Sequence, residues 1–233
     1  MNNDMNESGT DMRGKLIVIE GLDGSGKQTQ SEKLYTYLKN GERLVKYVSF
    51  PDYSSQSSAL VKMYLSGKFG DKPGDVGPYA SSLFYTVDRI ASFKTSWGEY
   101  YENGAIIVAN RYTTSNAVHQ TCKLPEEQWD EYLDWLYDLE FNKVGLPKPD
   151  AVIYLDMPSS VYSRLISKRY SGDEDKRDIH EKDRRYLEIS RVSALYAAEK
   201  LGWHVINCAA DREPLPVEEI HKRIVEYVEK TIS

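Results

Sequence analysis

The chain has 233 residues and a formal net charge of −6, and with a pI near 5.4 it lacks the broad basic face that a nucleic-acid polymer would demand, so no such partner is expected. Cys122 and Cys208 stand far apart with no Cys-x-x-Cys spacing, which argues against a zinc site or a disulfide framework and fits a reducing compartment. Neither an apolar leader nor an apolar run of ~18 residues occurs, so secretion and membrane insertion are not expected and a cytoplasmic location is.

Residues 1–13 are dominated by Asn, Asp, Gly and Ser without apolar periodicity, so a flexible tail is expected ahead of one domain spanning 14–233. Leu16-Ile17-Val18-Ile19 is an unbroken apolar run before a glycine turn, the pattern of a strand buried on both faces of a parallel sheet. A helical pattern follows from Lys27 to Asn40. Further strands are predicted from Leu44 to Ser49, Ala105 to Ala109, Ala151 to Leu155 and His204 to Asn207. Helical patterns run from Tyr79 to Tyr100, Pro125 to Phe141, Ser159 to Ser167, about Asp178 to Leu201, and Val217 to Lys230. Repeated β-α-β units imply a three-layer α/β fold: a five-stranded parallel sheet with helices on both faces. The stretch Lys168-Arg169-Tyr170-Ser171-Gly172-Asp173-Glu174-Asp175-Lys176-Arg177 lacks apolar anchors, and a mobile lid is expected at about 168–178.

The sharpest local signal is Gly21-Leu22-Asp23-Gly24-Ser25-Gly26-Lys27, lying directly between the first strand and the first helix. Glycines let the backbone wrap phosphate oxygens at close range, the helix N-terminus offers free N–H groups, and Lys27 supplies a point charge for β/γ-phosphates. This is a P-loop, and the full spacing in this context sets aside a ligand-free glycine turn. One position departs from the motif. Where Ser or Thr ordinarily follows the lysine as a Mg²⁺ ligand, the chain has Gln28, with Thr29 next, so a glutamine carbonyl or water must substitute, with Asp23 as the other candidate to serve the metal. A GTPase would need an Asn-Lys-x-Asp guanine reader, and the near match Asn142-Lys143-Val144-Gly145 lacks the aspartate. At the end of the third strand, Asn110, Arg111 and the turn from Thr113 to Asn116 would be displayed where open α/β sheets bind ligands.

In these blocks the chain resembles the thymidylate kinases, over almost its whole length after the tail. Gly21 through Gln30 is similar to the family's first motif, Asp23 included; Phe50-Pro51-Asp52-Tyr53 stands where the family has Phe-Pro-x-Arg, so Tyr53 replaces an arginine directed at the acceptor phosphate. Tyr85 to Arg89 resembles the segment that puts an aromatic ring over thymine and an arginine against its carbonyl. Asn110-Arg111-Tyr112 resembles Asp-Arg-Tyr, with Ser115-Asn116-Ala117 at the family spacing and His119 where members place an aromatic residue near the deoxyribose. Gly145 to Asp150 resembles the family's approach to the fourth strand.

The resemblance implies transfer of the γ-phosphoryl of ATP to dTMP with Mg²⁺, giving dTDP within dTTP biosynthesis. It also implies a homodimer, and ATP and dTMP as the small-molecule partners. Lys27 would cover the donor phosphates and Arg111 would bridge donor and acceptor. Because Gly24 and Ser25 leave the loop without a basic residue, a lid arginine, Arg169 or Arg177, would supply the third cation, and Arg164 would stack on adenine. Bland readings stand beside these. A charge run between helices is usually a solvated loop, Phe84 and Tyr85 on a helix are usually core, His119 alone reads as a partly buried polar residue and His180 as a surface one, and Glu181 near a helix start reads as a dipole partner. No histidine is assigned a catalytic role. Two alternatives remain open at this point: another deoxynucleotide or deoxynucleoside kinase on the same scaffold, or a catalytically silent nucleotide-binding protein.

Overall fold

A computed structural model describes residues 13–158, 161 and 184–233. Five parallel strands, β1 (Lys15–Gly21), β2 (Val45–Ser49), β3 (Ile106–Asn110), β4 (Ala151–Asp156) and β5 (His204–Asn207), form one sheet in the order β2-β3-β1-β4-β5. The strand apolar on both faces takes the centre, as its composition requires: Leu16, Ile17, Val18 and Ile19 are fully buried. Ile19 lies opposite Asn110 of β3, and Gly21 opposite Leu155 of β4. From β1 the chain passes to β2 on one side and later to β4 on the other, and this reversal opens a crevice beyond the carboxyl ends of the strands.

Eight α-helices are described: α1 (Lys27–Asn40), α2 (Ala59–Leu65), α3 (Pro78–Ser92), α4 (Gly98–Glu102), α5 (Thr113–His119), α6 (Trp129–Tyr137), α7 (Arg184–Leu201) and α8 (Val217–Ile232). α1 and α8 pack together against one face of the sheet, while α5 lies over β1 on the other and is itself covered by α3, α6 and α7. The helical pattern read from Val217 to Lys230 is α8, and Ile220, Ile224 and Val228, at four-residue spacing, are its buried side chains, each worth about 1.5–3 kcal/mol of burial.

The helix read from Tyr79 to Tyr100 is broken by a π-helical turn at Phe93–Trp97. That turn rotates Trp97 into the core, where it meets Phe93 at 4.8 Å and Tyr101 at 6.3 Å. The run ending at Phe141 likewise closes in a π-helical segment, Asp138–Lys143, which turns Glu140 and Phe141 inward. Thr113 to Asn116, read as a turn, instead opens α5. α2 and a small hairpin pairing Ala209–Ala210 with Glu213–Pro214 carry no periodic signal that sequence reading could use. The tail up to Met12, the helix from Ser159 to Ser167 apart from Val161, and the lid at 168–178 lie outside the described residues. Among the described residues no helix is long and apolar enough to cross a membrane.

Candidate active site

The turn from β1 into α1 is built on glycine for steric reasons. A Cβ on Gly21 would lie 2.5 Å from Ser25 Oγ and 3.0 Å from the Leu155 carbonyl oxygen, so any side chain would push the loop off β4. Gly26 caps α1 with φ 86°, a left-handed conformation that L side chains rarely adopt. No side chain caps α1 and its first turn holds no acidic residue, which leaves the helix's amino end electropositive and open to an anion. Gln28 and Thr29 are exposed on α1, and Gln28 Nε2 donates to Glu32 Oε1 at 3.1 Å.

Three charged groups converge above this loop. Lys27 Nζ donates to Asp23 Oδ1 at 2.8 Å and to the Leu22 carbonyl at 3.3 Å. Arg111 Nη2 donates to the same Asp23 oxygen at 2.6 Å. Arg111 sits one residue past β3 with φ 68°, a strained backbone for a residue with a side chain. Its N–H is tied to the Ile19 carbonyl at 3.1 Å, so the strain is held by the sheet. Burial alone would raise the Asp23 carboxyl, but Lys27 and Arg111 outweigh it and hold it well below the usual carboxylate range. Burial and the neighbouring Arg111 charge lower the Lys27 ammonium against the opposing pull of Asp23. For Arg111, burial is overcome by Asp23 and Glu20, which raise it further.

A second group of side chains is gathered beside these by α3, β3 and α5. Arg111 Nη1 donates to Ser115 Oγ at 3.0 Å and lies 3.3 Å from His119 Nε2. The His119 ring stacks on Tyr186 of α7 at 6.4 Å and 20°. Asn116 is 1% exposed, yet neither polar atom of its amide has a hydrogen-bond partner among the described residues. A buried amide of that kind is expected to meet a ligand. Asn110 Nδ2 donates to Ser49 Oγ at 3.1 Å. Phe50 is buried and tilts against Tyr112 at 5.8 Å, while Tyr85 is half-buried edge-on to Tyr64 and Tyr53 is 55% exposed.

Arg89 is where sequence and structure diverge most. Expected at a thymine edge, its side chain is 1% exposed and ion-paired with Glu140, which is fully buried. Glu140 accepts from Nε at 3.0 Å and from Nη2, and also from Thr86 Oγ1 and Thr113 Oγ1. Sequence reasoning missed this partner, and it missed Glu20, which sits at the end of β1 with its side chain fully buried. The available signal in both cases was a carboxylate on an otherwise apolar strand or helix face. Arg164, Arg169 and Arg177, with Lys168, Lys176, His180 and Glu181, lie outside the described residues.

Among the described residues no group of three or more His, Cys, Asp or Glu side chains converges as a metal cage. Asp23 is a single carboxylate at the mouth of the phosphate loop, which fits the way Mg²⁺ is held by one or two carboxylates with substrate phosphates and water completing its shell.

The family model described as "Thymidylate kinase" matches residues 19–224. The thymidylate kinase of Mycobacterium tuberculosis is 30% identical over 204 residues, covering 85% of this chain and 93% of that protein. That of Danio rerio is 27% identical over 224 residues, covering 95% of this chain and 92% of its own. The solved structure of a thymidylate kinase from Candida albicans superposes with a TM-score of 0.70 at 22% identity, covering 95% of this chain and 94% of that one, and so shares the fold.

Proposed function

This chain belongs to the thymidylate kinase family and phosphorylates dTMP to dTDP with ATP as the donor, and on that premise we propose how the cleft divides the work. Gly21, Leu22, Asp23, Gly24, Ser25, Gly26, Lys27, Gln28 and Thr29 bind the phosphates of ATP at the amino end of α1. Phe50, Tyr53, Tyr85, Arg89, Asn110, Ser115, Asn116 and His119 shape the dTMP side, with the orphaned amide of Asn116 reading the base. Arg111 serves both sides.

The single observation that carries this division is one carboxylate oxygen of Asp23 accepting from both Lys27 and Arg111. It holds the two cations side by side at the carboxyl edge of β1 and β3, where a phosphoryl group would pass between donor and acceptor. Phosphoryl transfer asks mainly for positioning and for charge neutralisation around three equatorial oxygens. Lys27 neutralises the donor phosphates, and Arg111, whose fork can grip two oxygens, steadies the group in flight. Asp23 would hold Mg²⁺, which supplies charge to the β/γ-phosphates when bound. Arg169 or Arg177 adds a cation from the lid and Arg164 packs on adenine.

The domain is taken as 14–233 after a tail of 1–13, working in the cytoplasm within dTTP synthesis. A homodimer is proposed through α3, where Tyr79, Leu83 and Val87 at four-residue spacing are 37%, 45% and 47% exposed and form an apolar stripe.

The experiment is turnover with dTMP, dUMP, dGMP and thymidine, run on wild type and Lys27→Ala. Wild type turns over dTMP in preference to the others, and Lys27→Ala nearly abolishes transfer with native circular dichroism. Unchanged turnover in a folded Lys27→Ala variant would remove the phosphate-loop assignment.

A further inference from the structure

Glu20 is the last side chain of β1 before the phosphate loop, and it is fully buried. A carboxylate in the middle of a core costs several kcal/mol unless every lone pair is met. Glu20 meets that demand with four donors. Oε1 accepts from the Gly21 N–H at 2.9 Å and from Arg111 Nη1 at 3.2 Å. Oε2 accepts from Thr114 Oγ1 at 2.7 Å and from Ser115 Oγ at 2.7 Å. Ser115 Oγ in turn accepts from Arg111 Nη1, which closes a triangle of arginine, serine and glutamate.

The geometry points to Glu20 as the positioning residue that fixes the Arg111 guanidinium for phosphoryl transfer. Arg111 is anchored at both ends of its fork: Asp23 takes Nη2 and the Glu20–Ser115 pair takes Nη1. A guanidinium gripped on two sides has one orientation rather than a cone of rotamers. Of the two carboxylates, Asp23 is part of the phosphate loop, with a side chain 20% exposed at its mouth, while the Glu20 side chain is 0% exposed. Were nucleotide and Mg²⁺ to draw on Asp23, Glu20 would be the anchor left to aim Arg111. The same carboxylate ties β1 to the start of α5, so the helix carrying Ser115, Asn116 and His119 is indexed to the loop that carries Lys27.

This inference rests on the role given to Arg111 above. The test is a kinetic cycle of wild type, Glu20→Gln, Arg111→Ala and the double variant, with kcat and KM measured for both substrates at a temperature where each is folded by circular dichroism. Gln keeps the shape and removes the charge that orders Arg111. Arg111→Ala should lower kcat by about 10³-fold or more. Glu20→Gln should lower it by about 10²-fold, as expected for a displaced catalytic group, with a smaller change in KM for ATP. In the Arg111→Ala background Glu20→Gln should add almost nothing, because its effect runs through that arginine. Should Glu20→Gln not fold, Thr114→Val removes one donor from Oε2 at equal size and should show a smaller kcat loss with the same dependence on Arg111. Losses that multiply in the double variant, or a kcat unchanged in a folded Glu20→Gln enzyme, overturn the inference while leaving Arg111 in place. An Arg111→Ala enzyme with unchanged kcat overturns the role of Arg111 and the inference with it.

Discussion

Glu140→Gln removes one charge from the most deeply buried ion pair among the described residues. The side chains of Arg89 and Glu140 are 1% and 0% exposed, and Glu140 also satisfies Thr86 and Thr113. Without the carboxylate, the Arg89 guanidinium would be left charged in the core, since Glu140 is the neighbour that raises it against the effect of burial. Breaking such a pair from one side costs about 3–5 kcal/mol. For a chain of this size each kcal/mol moves Tm by about 2–4 °C, so Glu140→Gln should melt roughly 6–20 °C below wild type. Replacing both partners with apolar side chains, Arg89→Met with Glu140→Leu, removes the desolvation penalty together with the attraction and should recover part of the loss, the remainder being the buried Thr113 hydroxyl left without its acceptor. Thermal unfolding of wild type, Glu140→Gln and the Arg89→Met/Glu140→Leu double, followed by circular dichroism at neutral pH, gives the ordering. A Glu140→Gln protein melting within about 2 °C of wild type would refute the reasoning, because less than about 1 kcal/mol would then be at stake. The double variant, if folded, also isolates recognition from stability: a dTMP affinity equal to wild type would exclude Arg89 from the base pocket.

Asn116→Ala should weaken dTMP binding far more than ATP binding, measured by calorimetry with each nucleotide, because its buried amide has no protein partner to lose among the described residues; a drop in ATP affinity alone would put the acceptor pocket elsewhere. Arg169→Ala or Arg177→Ala should lower kcat by about 10³-fold with little change in dTMP affinity, and kcat within a few-fold of wild type in both and in the double variant would reduce the lid to a cover. Lys123 donates to Tyr64 Oη at 2.8 Å and to the Val76 carbonyl at 2.9 Å, and burial pushes its ammonium down to about 8. Between about pH 8 and the unfolded value near 10.4 the unfolded chain keeps a proton that the folded chain has lost, so stability relative to Lys123→Met should rise with pH across that window. Melting curves of both proteins at about pH 7.5 and about pH 10 check it, and a constant difference between them would count against the shift.

What was legible in the sequence was local. The strand at Leu16 to Ile19, the glycines and Lys27 lie within a dozen residues, so periodicity and spacing could place them together. The register of Arg111 over Asp23 was visible only as an arginine after a strand, although its reach to the loop spans 88 residues of chain. The long-range carboxylates were invisible. Glu140 meets Arg89 across 51 residues and Glu20 meets Thr114 across 94, and nothing in a local pattern says which buried carboxylate faces which donor. The π-helical turns at Phe93–Trp97 and Asp138–Lys143 escaped for a related reason: tertiary packing of Trp97 and Glu140 decides them, while the local sequence satisfies an ordinary helix.

The charges of the described cleft sum close to neutrality, since Lys27 and Arg111 are matched by Asp23 and Glu20. That balance suits a ligand-free site, because two buried cations without partners would repel one another across the loop. It is insufficient for the reaction, in which ATP and a nucleoside monophosphate bring several negative charges to the same place. The missing positive charge must therefore arrive with the substrates or after them. Mg²⁺ would come with ATP, and the sequence holds Lys168, Arg169, Lys176 and Arg177 in one segment around Asp173, Glu174 and Asp175. Because the charges of the described cleft already balance one another, a cation added from the proposed lid would be felt mainly where charge develops on the transferring group, and so should act on kcat rather than on the affinity for dTMP.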